Sequence, residues 1–263
     1  MSTNYIIEDG MNTNYIDTLL MSLFYTPSFL ENVFLNNFPK QASHIYLQEL
    51  IRNRFIDNIR NSLSILSNSL NEIRNYLYIS GWLTNDVIFN NQEIINFYTY
   101  INDIFNCQTI KVEQENDNKN IQYINLNIDN ETTDTSIKDL YEKWLIGTDE
   151  QNNEKKIINI PPIIPFVINR FNNKIKINIQ KKIKLNPFDE YNDLDFSFHS
   201  VICFSGDTLE NGHYYSLLQN CGKWYIYDDK KYPCLNEVKM DEKNIINMIM
   251  SECIIIFYLY NQN

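Results

Sequence analysis

Cysteine is scarce and carries no spacing pattern. Cys107, Cys203, Cys221, Cys234 and Cys253 are odd in number and scattered, and no two form a CxxC pair. The usual structural zinc site therefore lacks ligands, and neither a bound metal nor a disulfide framework is expected. Basic charge is also short, with 22 Lys and Arg against 33 Asp and Glu and a net charge of -11. Affinity for a polyphosphate comes mainly from cations that neutralise phosphates, so nucleic acid is not the expected partner. A partner with a basic face suits the balance better, although solubility alone accounts for the charge. Long apolar runs are missing: none approaches the roughly 18 residues of a membrane span, and no charged-then-apolar leader opens the sequence. These absences lead us to expect an intracellular protein, cytoplasmic or nuclear, in a reducing compartment and without membrane contact. What the chain does have is 44% hydrophobic and 14% aromatic residues over 263 positions. That is enough for one sizeable core, as one domain or one domain with a projecting subdomain. Heavy use of Ile, Asn and Lys suits an AT-rich genome, with a large DNA virus among the candidate sources.

The first third is helical in pattern. Ile16, Leu19, Leu20, Leu23 and Phe24 recur at helical spacing and predict an amphipathic helix starting just after Asn14. Similar periodicity covers Leu47 to Leu66 and Gln92 to Phe105, the latter with Ile94, Tyr98, Ile101 and Phe105 on one face. Between Lys111 and Lys156 the composition shifts to Asn, Asp, Glu, Thr and Lys, with one strand expected at Ile121 to Ile128 and a short helix at Ile137 to Leu145. From Ile160 onward the segments "IPPIIPFVINRF", "KIKINIQKKIKL", "FSFHSVICFSG", "HYYSLL", "KWYIYDD" and "CIIIFYLY" read as strands. No internal repeat is present.

With three histidines, candidates for a catalytic base are few. His44 sits in a helical pattern and His199 starts an apolar strand, and neither is assigned a role. His213 lies in "NGHYYSLLQNCGKWYIYDDKK", which reads as strand, Gly-containing turn, strand. A four-residue loop over Gln219 to Gly222 would set Leu218 opposite Lys223 and His213 opposite Asp228. A three-residue loop would set His213 opposite Asp229. Either register places a carboxylate beside the imidazole on one face of the sheet. That is the base and orienter of a nucleophile, base, carboxylate triad, although a His opposite an Asp is more often a surface pair.

Taken together, "NTNYIDTLLMSLFY", "IPPIIPFVINRFNN", "FSGDTLENGHYYSLL", "WYIYDD" and "IIIFYLY" resemble the ubiquitin-specific proteases, the papain-like deubiquitinases, in order and spacing over nearly the whole chain. "NNQEIINFYTYINDIF" resembles the family's thumb helix, and "VINRF" its first palm strand. The resemblance implies an α+β papain-like fold with a thumb at 1–110, a shortened zinc-free fingers region at 111–158 and a palm at 159–263. It implies no cofactor. It also implies a cleft that receives the C-terminal tail of ubiquitin or a ubiquitin-like protein. That tail carries arginines, with which an acidic protein is compatible. By the same resemblance His213 is the base, Asp228 its orienter and Asp229 a supporting carboxylate.

One position departs from the family pattern. Its first box ends in a cysteine at a helix N-terminus, where the dipole and a histidine favour the thiolate. Here that position is Asn14, whose carboxamide has no ionisable proton and is a very poor nucleophile. Five residues earlier, where the family has an Asn that stabilises the oxyanion, ungapped alignment puts Asp9. Asparagine is also a favoured N-cap, so Asn14 is expected to cap the helix that follows. Three functions fit: a degenerate protease that still binds a ubiquitin-like modifier, an active thiol isopeptidase whose cysteine has been replaced by Asn14, or an interaction protein that reuses the fold.

Overall fold

The computed structural model describes Ile7, Gly10 and residues 12–83, 92–114, 117–128, 134–147, 155–170, 174–185 and 194–260. In chain order the helices are α1 (Asn14–Phe24), α2 (Leu30–Leu35), α3 (Ala42–Ile51), α4 (Asp57–Arg60), α5 (Ser67–Ile79), α6 (Ile94–Ile104), α7 (Ile137–Ile146) and α8 (Lys243–Glu252). A π-helical turn, Arg52–Ile56, joins α3 to α4. The strands are β1 (Ile110–Gln114), β2 (Asp117–Ile121), β3 (Ile124–Asn127), β4 (Asp134–Ser136), β5 (Lys155–Asn159), β6 (Ile163–Asn169), β7 (Lys176–Asn178), β8 (Lys182–Leu185), β9 (Leu194–Ser205), β10 (His213–Asn220), β11 (Lys223–Tyr227), β12 (Leu235–Val238) and β13 (Cys253–Tyr260). The chain divides into two compact units, one made of Met1–Cys107 with Phe204–Lys239 and the other of Gln108–Cys203 with Met240–Asn263.

In the first unit α1 is the central element. Every residue from Tyr15 to Phe24 is buried, polar ones included. A helix buried on all sides must pack on several partners, and α1 contacts α2, α5, α6 and β10. Tyr15 meets the Phe97 ring edge-on at 5.3 Å, and Phe24 meets Phe34 at 5.9 Å. α5 contributes Leu70, Ile73, Arg74 and Leu77, and α6 contributes Ile94, Phe97, Tyr98, Ile101 and Asn102, each set at helical spacing. The helical run expected from Leu47 to Leu66 exists but is earlier, from Ala42 to Arg60, because the chain turns at Asn61 and Ser62.

β10, β11 and β12 form an antiparallel ribbon. The β10–β11 turn has only two residues, Cys221 at φ 50° and Gly222 at φ 76°. Two consecutive left-handed residues define the hairpin turn whose twist matches that of the strands. Asn220 therefore faces Lys223, Leu218 faces Tyr225, and Ser216 faces Tyr227. Both longer loops considered from sequence are corrected: the left-handed Cys221 tightens the turn that its neighbour Gly222 alone suggests.

In the second unit β13 lies between β9 and β6 and is antiparallel to both, while β3 runs parallel to β6 and β8 pairs with the start of β9. β13 buries Cys253 and Ile255 to Tyr258, a continuous apolar stretch that suits a central strand. A second sheet sets β1 between β2 and β5, and β4 pairs with β7. This stretch holds more strand than expected. In "IKVEQ" the buried Ile110 and Val112 alternate with polar positions, a period-2 signal too short to outweigh the polar composition. The strand expected at Ile121 to Ile128 is present as the shorter β3, and a bend at Gln122 and Tyr123 separates it from β2, which was not expected. The helix expected at Ile137 to Leu145 is present as α7, opened by a capping box between Ser136 and Asp139.

Arg170, at the end of β6, ties the second unit together. Its Nε donates to Cys253 O at 2.6 Å, Nη1 to Ile175 O at 2.7 Å and Nη2 to Met250 O at 2.7 Å. Removing the guanidinium strands several carbonyls, each costing about 1–3 kcal/mol if left unpaired and buried. We predict that Arg170→Ala destabilises the protein by at least about 3 kcal/mol in urea unfolding. Arg170→Lys should recover only part of this, because a single ammonium lacks the planar fork.

Candidate active site

The site is built within the first unit, from the start of α1, the start of β10 and the segment after β11. Gly212 sets the approach to His213. A Cβ on Gly212 would lie 1.8 Å from the Phe204 ring and 2.7 Å from Thr208 O, so only glycine lets Phe204 pack on Tyr214 at 5.0 Å between ring centroids. His213 then begins β10. The β10–β11 ladder stops at Ser216 and Tyr227, and the chain turns away as Asp228 N–H donates to Cys234 O at 2.8 Å. His213 and Asp228 therefore meet beyond the end of the ladder, not across it.

His213 Nε2 lies 2.7 Å from Asp228 Oδ1 and 3.4 Å from Asp229 Oδ1. Asp228 is further engaged by Lys230 N–H at 3.2 Å and by Lys231 Nζ, which lies 2.9 Å from Oδ2. Burial alone would raise the Asp228 carboxyl. The hydrogen bonds from His213 and Lys231 outweigh it and hold the pKa at about 2. With Nε2 committed to the carboxylate, Nδ1 is the ring nitrogen left for base chemistry; it is buried and has no hydrogen-bond partner.

Asn14 does not cap α1. Thr13 holds the cap position, and its carbonyl accepts from Ile16 and Asp17 N–H while its hydroxyl accepts from Gly10 N–H at 3.1 Å. Asn14 is the first residue of the helix, and its side chain is turned toward β10 instead. Its Oδ1 accepts from Tyr214 N–H at 2.7 Å, and its Nδ2 donates to Tyr214 O at 3.0 Å and Asp229 Oδ1 at 3.0 Å, with Thr18 Oγ1 at 3.3 Å. The carboxamide thus pairs with both polar groups of one β10 residue, as a neighbouring peptide would. Behind it the fully buried Asp17 accepts from Thr18 N–H at 2.7 Å and from Tyr227 OH at 3.0 Å. Burial first, and then Asp17 and Asp229, push the Tyr227 hydroxyl well above its usual pKa, so it stays protonated and donates. Tyr214 OH joins α6 to the site by donating to Gln92 O and accepting from Ile94 N–H, both at 3.3 Å.

Asn14, His213, Asp228 and Asp229 are therefore brought together, as read from the sequence. Asp9 lies outside the described residues. His44 is buried in α3 with Nε2 3.4 Å from Ser80 O, and His199 is buried in β9. Sequence reasoning missed Lys231 and the main chain of Tyr214. Nothing in the sequence marks Tyr214 beyond its place after His213. Asp17 and Thr18 carried a signal, being polar residues inside a run of apolar helix positions. Ligand atoms of His213, Asp228 and Asp229 lie within 4.8 Å of one another, a spacing a metal ion could use. The Lys231 ammonium and the Asn14 amide already occupy the two carboxylates, so a cation would have to displace them.

A helix start facing a His–Asp pair on a β-ribbon, with α1 to α6 ahead of the first strand, is the arrangement of the papain-like fold. The profile of the ubiquitin carboxyl-terminal hydrolases matches residues 7–258, and the chain belongs to that family. Ubiquitin carboxyl-terminal hydrolase 4 of Arabidopsis thaliana is 26% identical over 99 residues, which cover 34% of this chain and 27% of that protein. The fold is that of the Ubp8-containing SAGA DUB module bound to monoubiquitin, at a TM-score of 0.69 and 13% identity over 98% of this chain and 69% of the other. The same module bound to ubiquitin aldehyde matches at a TM-score of 0.66 and 12% identity over the same shares.

Two outcomes follow from this geometry. Asn14→Asp sets a carboxylate 3 Å or so from Asp229 and removes a donor, so we expect a loss of about 2–4 kcal/mol at pH 7. The new carboxyl's folded pKa is raised, so the penalty is full above that value. It should shrink as the pH falls toward about 4, which unfolding at several pH values would show. Asp228 has the opposite sign. Its folded pKa of about 2 lies below the usual 3.8, so its contribution is present above about pH 4 and lost as the pH falls toward 2. The stability difference between wild type and Asp228→Asn should therefore narrow over that window and stay level above it.

Proposed function

We propose that this chain binds ubiquitin or a ubiquitin-like protein at the Asn14–His213 site and does not hydrolyse the linkage at its C-terminus. The observation that carries this reading is the bonding of Asn14. At the position where the family places its nucleophile stands a carboxamide whose oxygen and nitrogen are both taken up by Tyr214 and Asp229, and an amide cannot attack a carbonyl. The His213–Asp228 pair persists beside it with the spacing of a base and its orienter. On this reading residues 1–110, 111–158 and 159–263 serve as thumb, shortened fingers and palm, Asp229 has passed from supporting carboxylate to partner of Asn14, and Asp9 stands at the oxyanion position. Ubiquitin as partner is supported by the family and by the fold shared with ubiquitin-bound DUB modules.

The test is a titration with ubiquitin and its relatives by calorimetry, together with hydrolysis of a fluorogenic ubiquitin C-terminal substrate. Saturable binding that weakens with added salt is expected, because the net charge of -11 meets a basic tail. Release of fluorophore should not exceed that of a His213→Ala variant. Turnover above that control would sink the claim of inactivity. Failure of every modifier to bind at high micromolar concentration would sink the claim of recognition.

A further inference from the structure

Beside α2 and α3 the chain leaves an aromatic ring in water. Phe38 is 90% exposed, more than any other large apolar side chain among the described residues. A single exposed apolar residue is ordinary, but two features set this one apart. Its main chain is pinned by side chains: Gln48 Nε2 donates to Phe34 O at 2.9 Å and to Asn37 O at 3.3 Å, Arg52 Nη2 to Leu35 O at 3.0 Å, and Asn106 Nδ2 to Phe38 O at 3.1 Å. The ring also borders a cavity of about 490 Å³, with Leu35, Pro39 and Ile45 as its other apolar walls. Gln48, Glu49 and Arg52 line it too, and with Ile45 they recur at the spacing of one helix face. Glu49 and Arg52 do not pair with each other. Among the described residues Glu49 has no hydrogen bond or ion pair, and Arg52 bonds only through Nη2, to Leu35 O and to Asn36 Oδ1.

We propose that this face docks against the same face of a second copy of the chain across a two-fold axis. In such a contact residue i meets residue j while j meets i, so the patch must be complementary to itself. It holds both halves of each match: a projecting ring with a cavity of a size that takes whole ligands, and an acid with a base, neither of which has an ion pair within one copy. Phe38 of each copy enters the cavity of the other, and Glu49 meets the partner's Arg52 as Arg52 meets the partner's Glu49. A foreign chain would need an apolar anchor, a base and an acid in matching places; a second copy has them already. The pinned main chain holds the ring in position beforehand, so little conformational freedom is lost on docking. Copies with a net charge of -11 repel each other, but at physiological salt that repulsion is screened beyond about 8 Å. Along this segment the balance is the reverse: from Leu35 to Arg52 the chain carries two cationic residues, Lys40 and Arg52, and one acid, Glu49.

The experiment is sedimentation velocity of the full chain over a concentration series reaching about 200 μM, where a reversible monomer–dimer equilibrium in the micromolar range is expected of a small interface. Phe38→Ser should weaken the dimer at least about tenfold. Leu63→Ser, at an exposed apolar residue that does not line the cavity, should change it by less than about twofold. Glu49→Arg and Arg52→Glu should each weaken it about tenfold or more, because each sets like charges together. Mixing these two variants, one of them fluorescently labelled, should restore dimers to within about threefold of wild type, since every contact between positions 49 and 52 then joins opposite charges. Circular dichroism checks the fold of each variant, and the Phe38→Ser result stands even if Arg52→Glu loosens the segment that Arg52 pins. A chain that stays monomeric at the highest concentration overturns the proposal and leaves the cavity to a different protein. So does a dimer that Phe38→Ser leaves intact, or a pair of folded charge-reversed variants that fails to recover on mixing.

Discussion

A carboxamide that bonds both the N–H and the C=O of a single strand residue does the work of a β-bridge with a side chain. Asn14 does this to Tyr214, and so fixes the start of α1 against the start of β10. The apolar contacts of α1 are generic and could be satisfied by small slides or rotations of the helix. Hydrogen bonds with fixed directions cannot, because an amide displaced by an ångström or so loses its geometry. The same bond pair places Asp229 within reach of Nδ2. The carboxylates beside His213 are thereby shared between two donors of different kinds: Asp228 with the imidazole and Lys231, Asp229 with the amide.

Polar groups inside α1 follow the same logic. Asp17 and Thr18 would be destabilising in an apolar helix surface, since burying a carboxylate or hydroxyl without partners is costly. They survive because the β10–β11 ribbon and the helix itself answer them: Tyr227 reaches Asp17, Thr18 N–H caps its other oxygen, and Asn14 Nδ2 donates to Thr18 Oγ1 at 3.3 Å. The seam between helix and ribbon is therefore polar and specific along one line, with aromatic packing on either side, such as Tyr25 on Tyr225 at 5.6 Å. Low local dielectric strengthens each of these bonds and makes any missing member expensive.

How far the sequence could be read varies with the kind of interaction. α1 and α6 were legible because their buried residues repeat at helical spacing, and β13 because its apolar run admits little else. Asn14, His213, Asp228 and Asp229 were legible as a group through family resemblance, and His213 with a carboxylate through the hairpin alone. The hairpin reached a right neighbour by a wrong register. The turn is two residues long, and Asp228 meets His213 only because the ladder ends before it. Turn length here depends on Cys221 accepting a left-handed backbone, which its type does not announce. The orientation of Asn14 was illegible for a related reason: capping is local and can be weighed from the sequence, whereas a bond to a residue 200 positions away exists only after the fold is complete. Lys231 escaped notice because an exposed lysine after two aspartates looks like any solvated loop charge.

The side chain at position 14 also bears on the stability of the chain. A cysteine there would offer one weak donor where the amide offers an acceptor and two donors, leaving both backbone groups of Tyr214 to find other partners. Asn14→Cys would thus give a less stable protein, whatever reactivity the thiol introduced. The asparagine is held by the fold as well as by the site, because removing it unpairs two backbone groups at once.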